Sequence, residues 1–177
     1  MRSRRQIAGH TWLGGLAALA ITFVGLGQGS DQAFIKDAVQ GTIAGMRFGA
    51  LAVQRAENPA VREFAGTLET EHRATLQRAT DVAKSLNMQP PTEPSIEAKG
   101  TYDGFAQLSG AQFDAAFVSR MIEAHEAEIA SYSANSSSSN DAVATYVADT
   151  LPTLRAHLAM ARALQKGAPA HSAHSAH

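Results

Sequence analysis

The amino-acid sequence predicts an all-α fold in which four long helices pack as a bundle. Apolar residues recur at spacings of three and four over four long segments, which is the period of an amphipathic helix. Alanine is the commonest residue, and the runs of β-branched residues that favour strands are scarce. With 177 residues, of which 45% are hydrophobic and 18% charged, the chain is long and apolar enough to bury one core.

The first two predicted helices span residues 31–57 and 58–87. Ser30 or Asp31 is expected to cap the first helix, because short oxygen-bearing side chains accept hydrogen bonds from its free N–H groups. An Asn-Pro pair opens the second helix and places proline at the first helical position, where its missing N–H is not needed.

The third and fourth predicted helices span residues 109–134 and 141–166. Ser109 and Gln112 match a capping box, in which the two residues satisfy each other's free backbone N–H groups. Pro152 lies inside the fourth helix and predicts a kink, because proline lacks the N–H that a regular turn uses.

The connection between the second and third predicted helices, residues 88–110, is rich in proline and glycine and too long for a tight hairpin. A helix of about 27 residues is roughly 40 Å long at 1.5 Å per residue, and an extended linker can cover that distance. The sequence therefore predicts a ferritin-like four-helix bundle whose long connection crosses from one end to the other. An up-down bundle with a loose loop stays open as the alternative.

Residues 1–30 are typical of a secretory signal peptide. The segment has no acidic residue, begins with Arg2, Arg4 and Arg5, continues into an apolar run and ends in small residues. The run has about 15 residues, fewer than the roughly 20 that span a bilayer, which favours a cleaved signal over a retained anchor. A partial match to the twin-arginine motif at Ser3 leaves Sec and twin-arginine export both open.

This signal predicts a protein of the periplasm or the outer cell envelope, with a bundle domain at 31–167 and a disordered tail at 168–177. Three histidines in the tail are expected to bind divalent metal only weakly. The net charge of -1 provides no basic surface for nucleic acid. The absence of cysteine excludes disulfides and thiolate metal sites.

Short motifs spread over residues 31–164 carry a resemblance to a known family. They include Val61–Ala65, Glu71-His72, Leu108–Gly110, His125 and Leu151-Pro152. The sequence resembles a bacterial family of ferritin-like domains of unknown function, often described as outer membrane or predicted periplasmic proteins. The resemblance implies a four-helix bundle in the cell envelope and no settled activity. Family members commonly have acidic residues where this chain has Gly45 and Arg47, which weakens a carboxylate-rich metal site.

Three histidines lie on the apolar stripes of three different predicted helices. His72, His125 and His157 are expected to face the core at depths that differ by about five residues, or roughly 7 Å along the bundle. A buried imidazole needs a hydrogen-bond partner or a metal ion. The three rings are therefore expected either to converge on a metal or to be separately hydrogen-bonded core residues.

Glu69 precedes His72 by three residues, which is the Glu-x-x-His spacing of di-iron bundles. A di-iron centre needs this motif twice, and apolar residues stand three positions before the other two histidines. An iron oxygenase or ferroxidase centre is therefore not expected, and Glu69 stays a candidate ligand beside the histidines.

Three methionines near the same level are candidate soft ligands. Met46, Met121 and Met160 would add thioether sulfur to imidazole, a combination that suits copper better than zinc or iron. Methionine on a helix stripe also commonly fills core space. If the site binds a transition metal, the sequence favours copper slightly over iron.

Gly41, Gly45 and Gly49 recur every four residues on one face of the first helix. Each costs about 1 kcal/mol of helix stability relative to alanine, so a compensating role is expected. The spacing favours a close approach of two helices, and a pocket beside the histidines is the alternative.

The sequence contains no phosphate-binding loop, serine-nucleophile motif or paired-carboxylate centre, so an enzyme is not indicated. Two functions stay open. One is a non-enzymatic exported bundle with a binding or stress-related role in the cell envelope. The other is a metal-binding or redox protein that uses the histidine layer, and the direction of the ring nitrogens distinguishes the two.

Overall fold

The computed structural model describes residues 25–167. Most of the predicted signal peptide and the whole predicted tail lie outside the described residues. Within residues 25–167 the chain forms helices and no strand, which confirms the all-α prediction. The helices are α1 (Gly25–Arg55), α2 (Pro59–Ser85), α3 (Ile96–Phe105), α4 (Gly110–Ala134) and α5 (Asp141–Gly167). None of them combines the length and apolar character needed to cross a bilayer.

The four long helices form two hairpins, α1 with α2 and α4 with α5, and α2 packs against α5 while α1 packs against α4. At one end, the carboxylate of Asp114 accepts hydrogen bonds from the backbone N–H groups of Glu57 (3.1 Å) and Asn58 (2.7 Å). At the other end, the hydroxyl of Ser138 donates to Asp31 (2.9 Å). α4 therefore begins beside the α1–α2 turn and runs parallel to α2.

The connection between α2 and α4 crosses the whole bundle. The side chain of Gln32 donates to the carbonyl of Leu86 at 3.0 Å, which places the end of α2 beside the start of α1. The chain then returns to the opposite end before Gly110. This is the predicted ferritin-like connection, and the up-down alternative is wrong because α4 starts next to Asn58.

The connection also contains α3, a helix that the sequence did not predict. Gly100 and Gly104 lie within it, and glycine is a poor helix former. Tertiary packing stabilises it instead, because the rings of Tyr102 and Phe105 lie 5.9 and 5.5 Å from the ring of Phe48 in α1. α3 contacts both α1 and α4 and so covers the seam between them.

The helix starts agree only partly with the predicted caps. Asn58 caps α2 as predicted, since its side chain accepts from the backbone N–H of Ala60. Ser30 and Asp31 lie inside α1, because the helix already begins at Gly25, so neither caps it. The capping box at Ser109 is also wrong: its side chain makes no cap hydrogen bond, and Gly110 has a left-handed φ of 59°.

The core consists of two apolar clusters separated by a polar layer. The Phe34 cluster lies at the Asp31 end and includes Phe34, Ile35, Val39, Ala79, Val143 and Val147. The Phe113 cluster lies at the Asn58 end and includes Phe48, Phe64, Leu68, Phe113, Phe117 and Met121. His72, His125 and His157 lie between these clusters along their helices, so a layer of histidines separates the two apolar clusters.

Candidate metal centre

The three core histidines come together, which is one of the two arrangements that the sequence left open. His72 on α2, His125 on α4 and His157 on α5 are only 4%, 2% and 1% exposed. One ring nitrogen from each lies within 4.8 Å of the other two. Three different helices therefore hold three candidate ligand atoms in one buried place.

Contacts on the outer side of two rings fix which nitrogen carries a proton. His125 Nδ1 lies 2.7 Å from the backbone carbonyl of Met121 and must donate, because a carbonyl oxygen only accepts. His157 Nε2 donates to the carboxylate of Glu71 at 2.8 Å. In the neutral rings, the inward-facing atoms His125 Nε2 and His157 Nδ1 are therefore both unprotonated.

These two unprotonated nitrogens lie 3.2 Å apart. Two lone pairs at this distance repel each other unless one ring is charged or a cation lies between them. Charging is disfavoured: burial lowers the pKa of His125 from 6.5 to about 4 and also lowers that of His157, where Glu71 partly offsets the effect. Two imidazole nitrogens bound tetrahedrally to one metal ion lie about 3.3 Å apart. The pair thus has the spacing that a shared metal ion requires.

His72 completes the layer with a ring that lacks a hydrogen-bond partner at one nitrogen. Its Nε2 is buried and unpaired. Burial lowers its pKa from 6.5 to about 3, and the repulsion that a charged His72 would meet from the adjacent His125 and His157 rings adds to this effect. A neutral imidazole with a free lone pair is the protonation state in which histidine binds metals.

The glycine stripe of α1 serves two purposes. A Cβ on Gly45 would lie 2.6 Å from His72 Nε2, and Gly41 and Gly45 line a cavity of about 250 Å³ beside His72 and His125. A Cβ on Gly49 would instead lie 2.8 Å from backbone atoms of α2. Close packing, which the spacing favoured, therefore describes Gly49, whereas the pocket alternative describes the other two.

The remaining candidate ligands, which are Glu69 and three methionines, do not all lie beside the three histidines. The carboxylate of Glu69 forms an ion pair with Arg73 at 2.7 Å and is not among the converging ligand atoms. Met121 is buried in the Phe113 cluster, and Met160 packs against that cluster. Met121 also lines the cavity beside the histidines, whereas Met46 is half-buried and does not.

Sequence reasoning missed two glutamates, Glu71 and Glu128. Glu71 contacts His157 across the α2–α5 interface, so spacing along one helix gives no signal for it. Glu128 follows His125 by three residues on α4 and lines the same cavity as His72. The His-x-x-Glu spacing is visible in the sequence, but di-iron bundles use the reverse spacing, Glu-x-x-His.

The histidine layer should make the metal-free protein sensitive to acid. Between pH 6.5 and about 4 the unfolded chain binds protons at His72 and His125 that the folded chain does not, so the free energy of unfolding should decrease as the pH falls. Burial raises the pKa of Glu128 from 4.5 to about 7, which has the opposite sign: its contribution is lost progressively as the pH rises from 4.5 to about 7. We expect maximum stability near pH 6.5.

Urea unfolding followed by circular dichroism at pH 5 to 8 measures this dependence. Ordinary carboxylates do not titrate between pH 6.5 and 5, so a decrease there reports on the histidines. Glu128 opposes the histidines between pH 4.5 and about 7, so Glu128→Gln should steepen the decrease from pH 6.5 to 5 and remove the decrease from pH 6.5 to about 7. A constant stability from pH 6.5 to 5 in Glu128→Gln would show that the rings are not held neutral.

Comparison with solved structures supports the same architecture. The DUF305 fragment from Deinococcus radiodurans superposes with a TM-score of 0.70 at 15% identity, covering 78% of this chain and 96% of that one. CopM in the Cu(I)-bound form superposes with a TM-score of 0.66 at 16% identity, and CopM in the Cu(II)-bound form superposes with a TM-score of 0.65 at 17% identity. Each CopM match covers 77% of this chain and 96% of that one. At these identities the likeness shows the fold.

Sequence comparison establishes the family. No curated protein sequence matches this chain significantly. The family described as Domain of unknown function (DUF4142) matches residues 23–164, which include α1 to α4 and all but the last three residues of α5. This confirms the resemblance to a ferritin-like domain of unknown function, and the chain belongs to the DUF4142 family.

Proposed function

We propose that this protein binds a transition metal ion, copper ahead of iron, between His72, His125 and His157. The facing nitrogens of His125 and His157, 3.2 Å apart, are the observation that carries the proposal. A hydrogen bond cannot form between two neutral rings whose outer nitrogens already donate. A metal ion between them converts this repulsion into two bonds and adds a role for His72.

The second contact of each ring supports a metal role. Metal-bound histidines usually donate their other N–H to a carbonyl or a carboxylate, which fixes the ring orientation and increases ligand basicity. His125 donates to the carbonyl of Met121, and His157 donates to the carboxylate of Glu71. Both kinds of outer partner are therefore in place before any metal binds.

Copper is favoured on chemical grounds. Imidazole suits copper, iron and zinc, and at a site of given ligands Cu(II) binds more tightly than the other divalent first-row metals. CopM, whose fold this chain shares, has been solved in Cu(I)-bound, Cu(II)-bound and Ag-bound forms. Iron is the second metal to test, since imidazole also binds Fe(II).

The cavity beside the histidines offers the ion a path. It extends from buried His72 to Asp37 and Glu97, which are exposed, between α1 and the start of α3. Acidic side chains at the outer end attract cations.

The signal-peptide pattern of residues 1–30 supports the further proposal that the protein binds its metal outside the cytoplasm, in the periplasm or the outer cell envelope.

A metal titration of the untagged protein tests the proposal. The tail histidines His171, His174 and His177 are replaced by serine, so that only the core can bind tightly. We expect one equivalent of Cu(II), and about 2.7 kcal/mol of added stability when free copper is 100-fold above Kd. Chemical unfolding with and without Cu(II) measures this gain, and Fe(II) is compared in the same way. Copper that binds His72→Ala equally well would contradict the proposed site.

A further inference from the structure

Glu128 is a half-buried residue with one carboxylate oxygen that is buried and has no hydrogen-bond partner. It lies on α4, one turn after His125, and its Oε2 is buried with no hydrogen bond. Among side-chain polar atoms in the described part of the chain, only His72 Nε2 is buried and unpaired in the same way. A buried polar atom without a partner is costly, so two of them in one core require an explanation.

The two unpaired atoms belong to residues that line the same spaces. His72 and Glu128 both line the cavity of about 250 Å³, and both line a second cavity of about 10 Å³. His157 also lines the smaller space, which is about the size that one water molecule or one small ion needs. The carboxylate of Glu128 is not among the ligand atoms that lie within 4.8 Å of one another, so its side chain would have to turn towards a cation held near His72.

The other groups around Glu128 would compensate a negative charge on its carboxylate only in part. In the smaller cavity it faces Thr42, Thr75, Tyr132 and Thr150, which are neutral side chains. The hydroxyls of Tyr132 and Tyr146 bond to each other at 2.8 Å, and those of Thr75 and Thr150 donate to backbone carbonyls. Arg120 lines the larger cavity, and its positive charge offsets part of the effect of burial on the pKa of Glu128, but the described ion pair of its guanidinium is with Glu123.

We propose that Glu128 is the fourth protein ligand of the metal centre, giving three imidazoles and one carboxylate. This rests on the proposed metal site and adds a selectivity to it. A carboxylate oxygen is a hard, charged ligand that favours divalent ions, whereas monovalent Cu(I) and Ag(I) prefer soft ligands. With Glu128 bound, the site should prefer Cu(II) over the monovalent ions more strongly than three imidazoles alone would.

Glu128→Gln tests this, because it removes the charge and nearly keeps the shape. We expect Cu(II) affinity to fall at least tenfold in the full chain, with the tail histidines replaced as above, and Ag(I) affinity to fall less than threefold. Glu123→Gln is the matched control, since Glu123 is an exposed glutamate on the same helix. Competition titrations with Cu(II) and Ag(I) give both numbers.

The outcomes separate this inference from the metal site itself. Unchanged Cu(II) affinity in Glu128→Gln, with tight binding by the parent protein, overturns the role of Glu128 and leaves the three-histidine site standing. Equal losses for Cu(II) and Ag(I) overturn the selectivity. Absence of tight Cu(II) binding by the parent protein overturns the metal site and this inference together.

Glu128→Asp provides a second test, which does not depend on whether the protein folds with a neutral side chain at position 128. It keeps the carboxylate but withdraws it by one methylene. The Cu(II) electron paramagnetic resonance spectrum should then differ from that of the parent protein, because an oxygen ligand has moved. Identical spectra for the two proteins would overturn the proposal.

Discussion

Replacing His125 with alanine is expected to lower Cu(II) affinity by at least about 100-fold. Changes to the outer partners of metal ligands already cost 10–100-fold, and His125 is itself an inward-facing ring. It is 2% exposed, and its free nitrogen lies 3.2 Å from that of His157. Without it, His72 and His157 are left as two imidazoles on α2 and α5, with no ring from α4.

The measurement compares Kd values from competition titrations of proteins that lack the tail histidines. Because alanine also leaves a cavity in the core, Phe117→Leu is the matched control. Phe117 is fully buried two turns earlier on the same helix, so its truncation loosens α4 while keeping all three rings. This control should lose stability and keep its copper affinity.

Glu71→Ala should lower Cu(II) affinity by less than His125→Ala does and by more than the Phe117→Leu control does. Its carboxylate accepts from His157 Nε2, and its side chain is 47% exposed, so its removal should affect the orientation of the ring more than the fold. We expect a loss of 10–100-fold in Cu(II) affinity. If His72→Ala, His125→Ala and Glu71→Ala all bound copper as tightly as the parent protein, the histidine layer would be an ordinary part of the core.

The sequence predicts the four long helices and the inward position of the histidines, because both depend on helical periodicity alone. A residue on the apolar stripe of a long helix must face the core, and His72, His125 and His157 all do. α3 could not be predicted in the same way, since its glycines oppose a helix and its stability comes from contacts with Phe48 on α1.

The partners of the histidines could not be predicted, because they depend on helix rotation and rotamers. Glu69 and Glu71 are both within one turn of His72, yet the first pairs with Arg73 and the second reaches His157 on another helix. The position of Glu128 is visible in the sequence, but the lack of a partner for its carboxylate is not. Spacing identifies which residues share a face, and packing decides which of them touch.

The second large expected effect is on the stability of the fold, and it concerns the glycine stripe of α1. Gly49→Ala is expected to destabilise the fold by about 2 kcal/mol, because the new Cβ would lie 2.8 Å from the carbonyl of Ala65 and from the amide of Glu69. Backbone atoms of α2 can retreat only if the two helices separate. The gain in helix propensity, about 1 kcal/mol, offsets only part of this cost.

Thermal and urea unfolding should show a decrease in Tm of about 4–8 °C for Gly49→Ala. Gly66→Ala is the matched control on α2, because its Cβ would lie 3.9 Å from the nearest atom, a methyl of Val53. That change should raise stability by up to about 1 kcal/mol, the usual difference between alanine and glycine in a helix. Equal changes in stability at both positions would show that helix propensity alone determines the effect of a glycine-to-alanine substitution.

Gly45→Ala should affect the metal centre instead. Its Cβ would lie 2.6 Å from His72 Nε2, and a side-chain ring can turn away where a backbone cannot. We therefore expect at least a tenfold loss of Cu(II) affinity and a smaller loss of stability than in Gly49→Ala. Two substitutions of the same kind, one turn apart on one helix face, would then separate a glycine that makes room for a ligand from one that makes room for a helix. A copper affinity unchanged in Gly45→Ala would mean that His72 does not need this space to bind.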